Sequence, residues 1–235
     1  MSPKLKKGLK LGGFVAALIV YVIMSIIVYN TKNSPSNIDA FFRDLAYNIR
    51  GEKYGPMFWI FRIITEFGDF FIVGIILVVF GIYTKFDYRF FVCIIGLGVA
   101  ILSNVVLKTL YSRERPIFEN RWMVEETSSF PSGHSTASAF LYTYLAYTFY
   151  HLNIKKVSKI LWFISLQLLI FLVMASRLIM GVHYFTDVFA GYASGIMVCC
   201  FAMIAYHFCE KNNILTEGFI AFLKKADKEE WKRIF

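Results

Sequence analysis

Three polar clusters interrupt a chain that is otherwise strongly apolar, and their residue types could perform chemistry on an anion. Each cluster lies at the end of a long apolar run, which would place it near a bilayer interface if those runs cross a membrane. A lone cation in such a place usually reaches for lipid headgroups, but three clusters on one side of the bundle favour a shared site. The clusters are Lys108 with Arg115 and Pro116, then Pro131 to His134, then Ser176 and Arg177 with His183 and Asp187.

The cations and one helix start in these clusters predict an anion site. Lys108, Arg115 and Arg177 supply positive hydrogen-bond donors, and the planar guanidinium of arginine fits two oxygens of a phosphate at once. Ser132 and Gly133 follow a proline where a helix is expected to begin, so unpaired backbone N–H groups face the same space. We therefore predict that these five residues bind phosphate oxygens.

The two histidines are the candidates for the chemical step. His183 and Asp187 are four residues apart and would share a helix face, so the carboxylate could accept a hydrogen bond from one ring nitrogen of the histidine. The other ring nitrogen would then be oriented as a nucleophile or base. We expect His134, across the pocket, to donate a proton to the leaving oxygen. His183, Asp187 and His134 are thus the predicted catalytic residues.

We predict that this chemistry needs no metal and no other cofactor. No histidine and carboxylate spacing typical of a metal site lies near the clusters, and spread positive charge is what phosphoryl transfer chiefly requires. Glu119, Glu125 and Glu126 lie in the loop before Pro131, where we expect them to shape the entrance. The alternative is that they hold a divalent ion. The four cysteines lie in or beside apolar runs and are interpreted as packing residues.

Composition predicts an all-α polytopic membrane protein. The 235 residues are 57% hydrophobic and 18% aromatic, and their mean hydropathy is +0.57. We predict six transmembrane helices in a single domain covering 1–235, with short interfacial helices beside them. The region ahead of the second span carries charges and is expected to enter at an angle. The predicted spans are 11–29, 70–83, 90–107, 135–150, 160–175 and 188–208.

Basic residues predict the orientation. If six spans alternate, the lysines of 1–10, Lys85 and Arg89, the lysines of 155–159 and the tail 210–235 fall on one side, which should be cytoplasmic. Both termini are then cytoplasmic, and the polar clusters face the extracytoplasmic side of a plasma membrane. The net charge of +9 is explained by these loops and by anionic lipid, and since no groove-reading motif is present we predict no nucleic-acid partner. The oligomeric state is left open.

Two amphipathic segments flank the spans. In 36–50 apolar residues recur at helical spacing, and Ser36 with Asp39 predicts a capping box at its start. This helix is expected to lie flat on the outer face. The tail from Thr216 pairs apolar residues with lysines, which is typical of a helix resting on anionic headgroups or of a solvated tail.

Taken together, the clusters resemble the signature of the type 2 phosphatidic acid phosphatases, also called lipid phosphate phosphatases. In that family a lysine, six residues and Arg-Pro precede Pro-Ser-Gly-His, and Ser-Arg, five residues, His, three residues and Asp follow; all spacings match here. The resemblance implies that His183 forms a phosphohistidine, with Asp187 orienting it and His134 as general acid. One departure is Glu114, where many members have proline. Arg113 we interpret as a second headgroup contact or a surface residue.

These inferences predict an integral membrane phosphatase that hydrolyses a lipid phosphate or diphosphate. The candidate substrates are undecaprenyl diphosphate, phosphatidylglycerol phosphate and phosphatidate, and the expected outward-facing site slightly favours the isoprenoid. A phosphotransferase using the same intermediate is one alternative. A non-catalytic lipid-phosphate binder or transporter is the other, although binding alone would not need a histidine beside a carboxylate.

Overall fold

A computed structural model describes residues 3–31, 34–116, 122–218 and 221, and within these ranges the chain forms eight α-helices and no strand. The predicted tail helix and Glu119 lie outside the described residues. Five of the six predicted spans lie within longer helices, because hydropathy marks only the part of a helix that suits lipid, and α4 has the predicted bounds 70–83. They are α1 (Pro3–Asn30), α2 (Asn37–Arg50), α3 (Pro56–Glu66), α4 (Phe70–Tyr83), α5 (Tyr88–Tyr111), α6 (Gly133–Tyr150), α7 (Lys156–Ile179) and α8 (Phe185–Lys211).

The bundle contains helices that can span a membrane, but fewer than the six predicted are long and apolar enough to do so. In the described part of the chain α1, α5, α7 and α8 are long and apolar enough to cross a bilayer, and α3 with α4 would form a fifth span bent by 48°. This bend agrees with the angled entry predicted before 70–83. The remaining predicted span, 135–150, is a helix that carries many hydroxyl and small side chains. It packs against α4, α5, α7 and α8 and is largely buried, so its sequence is not that of a lipid-facing segment.

Small residues in α8 fix the start of α6. A side-chain carbon at Gly191 would lie 2.4 Å from the carbonyl oxygen of Ser132, and one at Gly195 would lie 2.5 Å from that of Thr136. The four-residue spacing places both glycines on one helix face, which allows the two backbones to approach closely. The backbone N–H of Ser132 also donates to the carbonyl oxygen of Asp187 at 3.0 Å. Two of the predicted motifs are therefore held in register by direct backbone contact.

The bundle brings four helix ends together. α5 and α7 end, and α6 and α8 begin, at the same end of the molecule, where all three polar clusters meet. α1 packs along α8, and Lys10 Nζ donates to the carbonyl oxygen of Met203 at 3.2 Å. The amino-terminal lysines thus lie towards the opposite end from the clusters, as the alternation of spans predicts.

The shorter helices surround the polar end. α2 begins at Ser36 with the predicted capping box, in which Ser36 Oγ accepts from the backbone N–H of Asp39 and the carboxylate of Asp39 accepts from that of Ser36. α2 contacts α7 and α8, and α3 contacts α7. Between α3 and α4 the chain turns at Phe67 and Gly68, and Asp69 caps α4 by accepting from the backbone N–H of Phe71 at 3.0 Å.

Candidate active site

A cavity of about 240 Å³ lies at the polar end of the bundle. Most of the predicted site residues line it, together with Gly68, Asn104, Glu125 and Thr127 and the apolar side chains of Phe70, Ile101 and Val105. The wall therefore contains both cationic and apolar side chains. The predicted residues at the cavity are Lys108, Arg115, Gly133, His134, Arg177 and His183, whereas Ser132 and Asp187 lie behind its wall.

His183 is oriented through a serine that the sequence analysis did not single out. The predicted direct hydrogen bond to Asp187 is not formed, because His183 precedes α8 and its Nδ1 lies 3.6 Å from Asp187 Oδ2. Instead, His183 Nδ1 is 3.3 Å from Ser129 Oγ, and Ser129 Oγ donates to Asp187 Oδ2 in a short hydrogen bond. A hydroxyl that donates to the carboxylate can accept from the histidine, so Nδ1 carries the proton.

The second ring nitrogen of His183 faces the cations. Arg115 Nη1 lies 3.2 Å from His183 Nε2, and since arginine can only donate, Nε2 holds its lone pair there. Burial lowers the pKa of His183 well below its usual range, and the charges of Arg115, Arg177 and Lys108 act in the same direction. The imidazole is therefore neutral at pH 7, and its Nε2 lone pair accepts a hydrogen bond from Arg115.

Arg113 is fully buried between two carboxylates, so the prediction of a headgroup contact or a surface residue is wrong. Its Nη1 donates to Asp187 Oδ1 at 2.6 Å and its Nη2 to Asp39 Oδ2 at 2.9 Å. Burial alone would lower the pKa of Arg113, but the two aspartates raise it above its usual value. Thr186 donates from both its backbone and its hydroxyl to Asp39, at 2.9 Å each. Asp39, which completes the capping box of α2, is thereby linked to the carboxylate behind His183.

Lys108 and Arg115 are held by the segment just before the Pro-Ser-Gly-His motif. Lys108 Nζ donates to the hydroxyl of Thr127 at 3.1 Å and to the carbonyl oxygen of Ser128 at 2.5 Å. Arg115 donates to the carbonyl oxygen of Thr127 from Nε at 2.6 Å and to that of Val182 from Nη1 at 2.9 Å. Both side chains are thus fixed at the cavity before any anion binds.

Arg177 is buried and has an unpaired donor. Its Nη1 donates to Thr65 Oγ1 at 2.8 Å, and its Nη2 pairs with Glu125 Oε1 at 2.5 Å. Burial alone would raise the pKa of Glu125, but Arg177 and Arg115 lower it below its usual value. Arg177 Nε is buried and has no hydrogen-bond partner among the described residues. Arg177 also lines the cavity, where Thr65 and Glu125 hold its guanidinium in place.

The Pro-Ser-Gly-His segment begins α6 as predicted. Ser132 is the N-cap residue, and its hydroxyl accepts a hydrogen bond from the backbone N–H of Ser135. This side chain therefore caps α6 and does not line the cavity. Asn104 Nδ2 donates to the carbonyl oxygen of Pro131 and to Thr136 Oγ1, each at 3.2 Å. Gly133 and His134 are thus presented to the cavity on a braced first turn.

Sequence reasoning missed four residues that support the site, namely Asp39, Asn104, Arg113 and Ser129. Ser129 had a local signal for a role at the site, because it ends a run of three hydroxyl residues, Thr127 to Ser129, directly before the second cluster; the signal at Asp39 predicted only a helix cap. No group of three or more His, Cys, Asp or Glu side chains is placed to hold a metal ion within the ranges that the structure describes.

These features define a helical multi-pass membrane protein with a cationic, histidine-containing cavity at one end of its bundle. The model of the PAP2 superfamily matches residues 88–211, which run from the first residue of α5 to the last of α8. The chain belongs to this superfamily.

Three comparisons with known proteins agree with this assignment. Phosphatidylglycerophosphatase B of Bacillus subtilis (strain 168) is 39% identical over 103 residues, which are 43% of this chain and 50% of that protein. The chain therefore matches about half the length of this curated relative. The crystal structure of a transmembrane PAP2 type phosphatidylglycerolphosphate phosphatase from Bacillus subtilis superposes with a TM-score of 0.68 at 27% identity, over 83% of this chain and 96% of the other. Aquifex aeolicus LpxE shares the fold, with a TM-score of 0.57 at 24% identity over 70% and 93% of the two chains.

Proposed function

We propose that this protein is a membrane phosphatase that hydrolyses a lipid phosphomonoester through a phosphohistidine on His183. The observation that carries the proposal is the arrangement of His183 itself. Its Nδ1 is tied through Ser129 to Asp187, while its Nε2 faces a cavity with Lys108 and Arg115. A neutral imidazole with a fixed tautomer, beside cations that can neutralise a phosphate, is the arrangement that nucleophilic attack on phosphorus requires.

In the first step Arg115 Nη1 exchanges its contact with His183 Nε2 for a phosphate oxygen, and the freed Nε2 lone pair attacks phosphorus in line with the lipid oxygen. A P–N bond forms, the bond between phosphorus and the lipid oxygen breaks, and His134 gives its proton to that oxygen so that the lipid leaves as an alcohol. Asp187 stabilises the positive charge that develops on the His183 ring, acting through Ser129 and directly at 3.6 Å. The carboxylate itself does not become protonated in this scheme.

In the second step water hydrolyses the phosphohistidine. His134, now neutral, takes a proton from the water as its oxygen attacks phosphorus, and the P–N bond breaks. His183 is restored as a neutral imidazole, inorganic phosphate is released, and His134 again carries the proton that the next cycle needs. Lys108, Arg115, Arg177 and the backbone N–H of Gly133 hold the phosphate oxygens during both steps, whereas the N–H of Ser132 is already bonded to Asp187.

Two features support a lipid as substrate and an outward-facing site. Phe70 and Val105 line the cavity and are also exposed on the bundle surface, which suits a phosphate ester whose apolar chain remains in the bilayer. The cavity lies at the end of the bundle away from Lys10 and the basic loops, so six crossings with both termini cytoplasmic would place it at the extracytoplasmic face of the plasma membrane.

Phosphatidylglycerol phosphate is the first candidate substrate, because the curated relative and the solved structure from Bacillus subtilis are both named for it. The expectation from sequence that an isoprenyl diphosphate is slightly favoured remains a prediction, as does phosphatidate. A diphosphate would follow the same steps with a lipid monophosphate as the leaving group.

The test is a phosphate-release assay on the purified full chain in detergent. Phosphatidylglycerol phosphate, undecaprenyl diphosphate and phosphatidate are compared at equal surface concentration, with and without excess chelator. We expect phosphate release that chelator does not reduce. A phosphorylated acceptor lipid without free phosphate would show a transferase, and tight binding without turnover would show a binder. Activity that chelator abolishes and magnesium restores would contradict the metal-free scheme.

A further inference from the structure

The break between α3 and α4 lies directly against the ring of His134. A side-chain carbon at Gly68 would be 3.0 Å from His134 Cβ and 3.2 Å from His134 Cδ2. The hydroxyl of Tyr142, on α6, donates to the carbonyl oxygen of Phe67 at 2.6 Å. Glycine lets the backbone lie against this ring without a side chain between them, and the Tyr142 hydrogen bond ties the break to the helix that carries His134.

The two carboxylate oxygens of Asp69 make different contacts, one at the start of α4 and the other near His134. Oδ1 accepts from the backbone N–H of Phe71 and so caps α4, while Oδ2 lies 3.9 Å from His134 Nε2. The second distance is too long for a hydrogen bond but is within ion-pair range. A small rotation of the carboxylate or the ring would convert it into a charge-assisted hydrogen bond when the imidazole is protonated.

The other charged groups that share the cavity with His134 are mostly cationic. Lys108, Arg115 and Arg177 line the same cavity, and they disfavour a second positive charge there. His183 lines it as well, and the carboxylate of Glu125 is already paired with Arg177. A general acid must nevertheless carry its proton when the leaving oxygen departs. Asp69 is the carboxylate placed to stabilise that protonated ring, because its Oδ2 lies 3.9 Å from Nε2.

We propose that Asp69 is the positioning residue of His134, holding Nε2 so that Nδ1 donates the proton to the leaving oxygen. The inference rests on the phosphatase function proposed above and gives each histidine of the site its own carboxylate. Asp187 supports the nucleophile through Ser129, and Asp69 supports the acid from a helix break outside the region that the family model matches.

Two substitutions separate this role from helix capping. Asp69→Asn removes the charge but keeps a side-chain oxygen that caps a helix as well as aspartate does. Asp69→Glu keeps the charge and weakens the cap. If Asp69 only caps α4, the Asn variant should resemble the wild type and the Glu variant should be the worse of the two. Glu66→Gln is the matched control, because Glu66 lies three residues away and is paired with Arg62.

The readout is kcat/KM on two synthetic phosphomonoesters that carry the same alkyl chain. One is an alkyl phosphate, whose alkoxide needs a proton to leave, and the other is a nitrophenyl phosphate, whose phenolate leaves without one. Because kcat/KM reports cleavage of the P–O bond to the leaving group, the need for an acid appears as a difference between the substrates. For Asp69→Asn we expect about a tenfold loss on the alkyl phosphate and less than about twofold on the nitrophenyl phosphate. Asp69→Glu should recover part of the loss on the alkyl phosphate.

Wild-type turnover of the nitrophenyl ester tests the phosphatase proposal by itself, and its absence would remove that proposal. If the wild type is active, two outcomes overturn the inference about Asp69 and leave the phosphatase proposal intact. In one, the kcat/KM of Asp69→Asn falls equally on both substrates, and in the other it falls on neither. An equal loss in Glu66→Gln would also overturn it, since the effect would then be one of general charge near the cavity.

Discussion

The two halves of the chain contribute to the site in different ways. The half from α5 to α8 supplies every residue predicted to touch the phosphate, and the family model matches only this half. The half from α1 to α4 supplies groups that contact those residues from behind. Asp39 pairs with Arg113, and Thr65 accepts a hydrogen bond from Arg177. Gly68 and Asp69 lie against His134. The chemistry is thus encoded in one half, and its geometry and charge balance depend on both.

The largest effect is expected inside the α5 to α8 half. His183→Ala removes the proposed nucleophile, so turnover should fall by at least about 10⁴-fold and transfer of labelled phosphate to the protein should disappear. His207→Ala is the matched control, because His207 bonds to Tyr147 at 2.6 Å near the other end of α8. Persistent labelling of the His183→Ala protein would assign the nucleophile to another residue.

The contact between the halves is tested at Arg113. Arg113→Met leaves Asp39 and Asp187 buried without their shared cation, which should lower the free energy of unfolding by about 3–5 kcal/mol. Asp39→Asn should cost less, since Arg113 keeps Asp187. Thermal unfolding in detergent measures both variants against Arg43→Met, whose cation is partly exposed and paired with Asp44. If Arg113→Met unfolds at the wild-type temperature, the two halves are not coupled through this network.

A smaller effect is expected at the serine between the nucleophile and its carboxylate. Ser129→Ala should reduce kcat by about 10- to 100-fold with little change in KM, because His183 loses the group that fixes its ring while the cations remain. Asp187→Asn should reduce kcat further, because this substitution also leaves Arg113 with only one carboxylate partner. Ser112→Ala, at an exposed hydroxyl that bonds to its own helix, is the control. If KM instead rises by the same factor as kcat falls, Ser129 supports the fold of the site and not the orientation of His183.

The smallest effect is a shift in pH dependence that reports the charge of the α5 to α8 half. Because the pKa of His183 is lowered, the folded protein resists protonation there, and its stability should fall as pH drops below about 6.5, the value in the unfolded chain. The acid limb of kcat/KM should lie below that pH for the same reason. Arg115→Gln removes one of the charges that lower the pKa of His183, so the acid limb should move to higher pH. The maximal kcat/KM should also fall. The substrate ionises equally with both enzymes, so a limb at the same pH in the variant would show that His183 does not set it.

Much of the site follows from local sequence, and its supports do not. The spacing of Lys108, Arg115, His134, Arg177 and His183 predicted a shared cavity, and the structure places all five around it. The burial of Arg113 was not predictable from its position beside Glu114 and Arg115, because its partners lie 74 residues away in either direction along the chain. The insertion of Ser129 between His183 and Asp187 depends on where α8 begins, two residues after His183.

The sequence by itself determined the apolar helices, the capping box at Ser36, the helix start at Ser132 and Gly133, and the residue types that can bind and attack a phosphate. These features depend on hydropathy and on hydrogen bonds between near neighbours, which a linear pattern carries. The tertiary structure alone decided which carboxylate faces which cation or imidazole. Such pairings join helices that are far apart in the chain, and the free energy of a buried charge depends on the neighbours that packing brings to it.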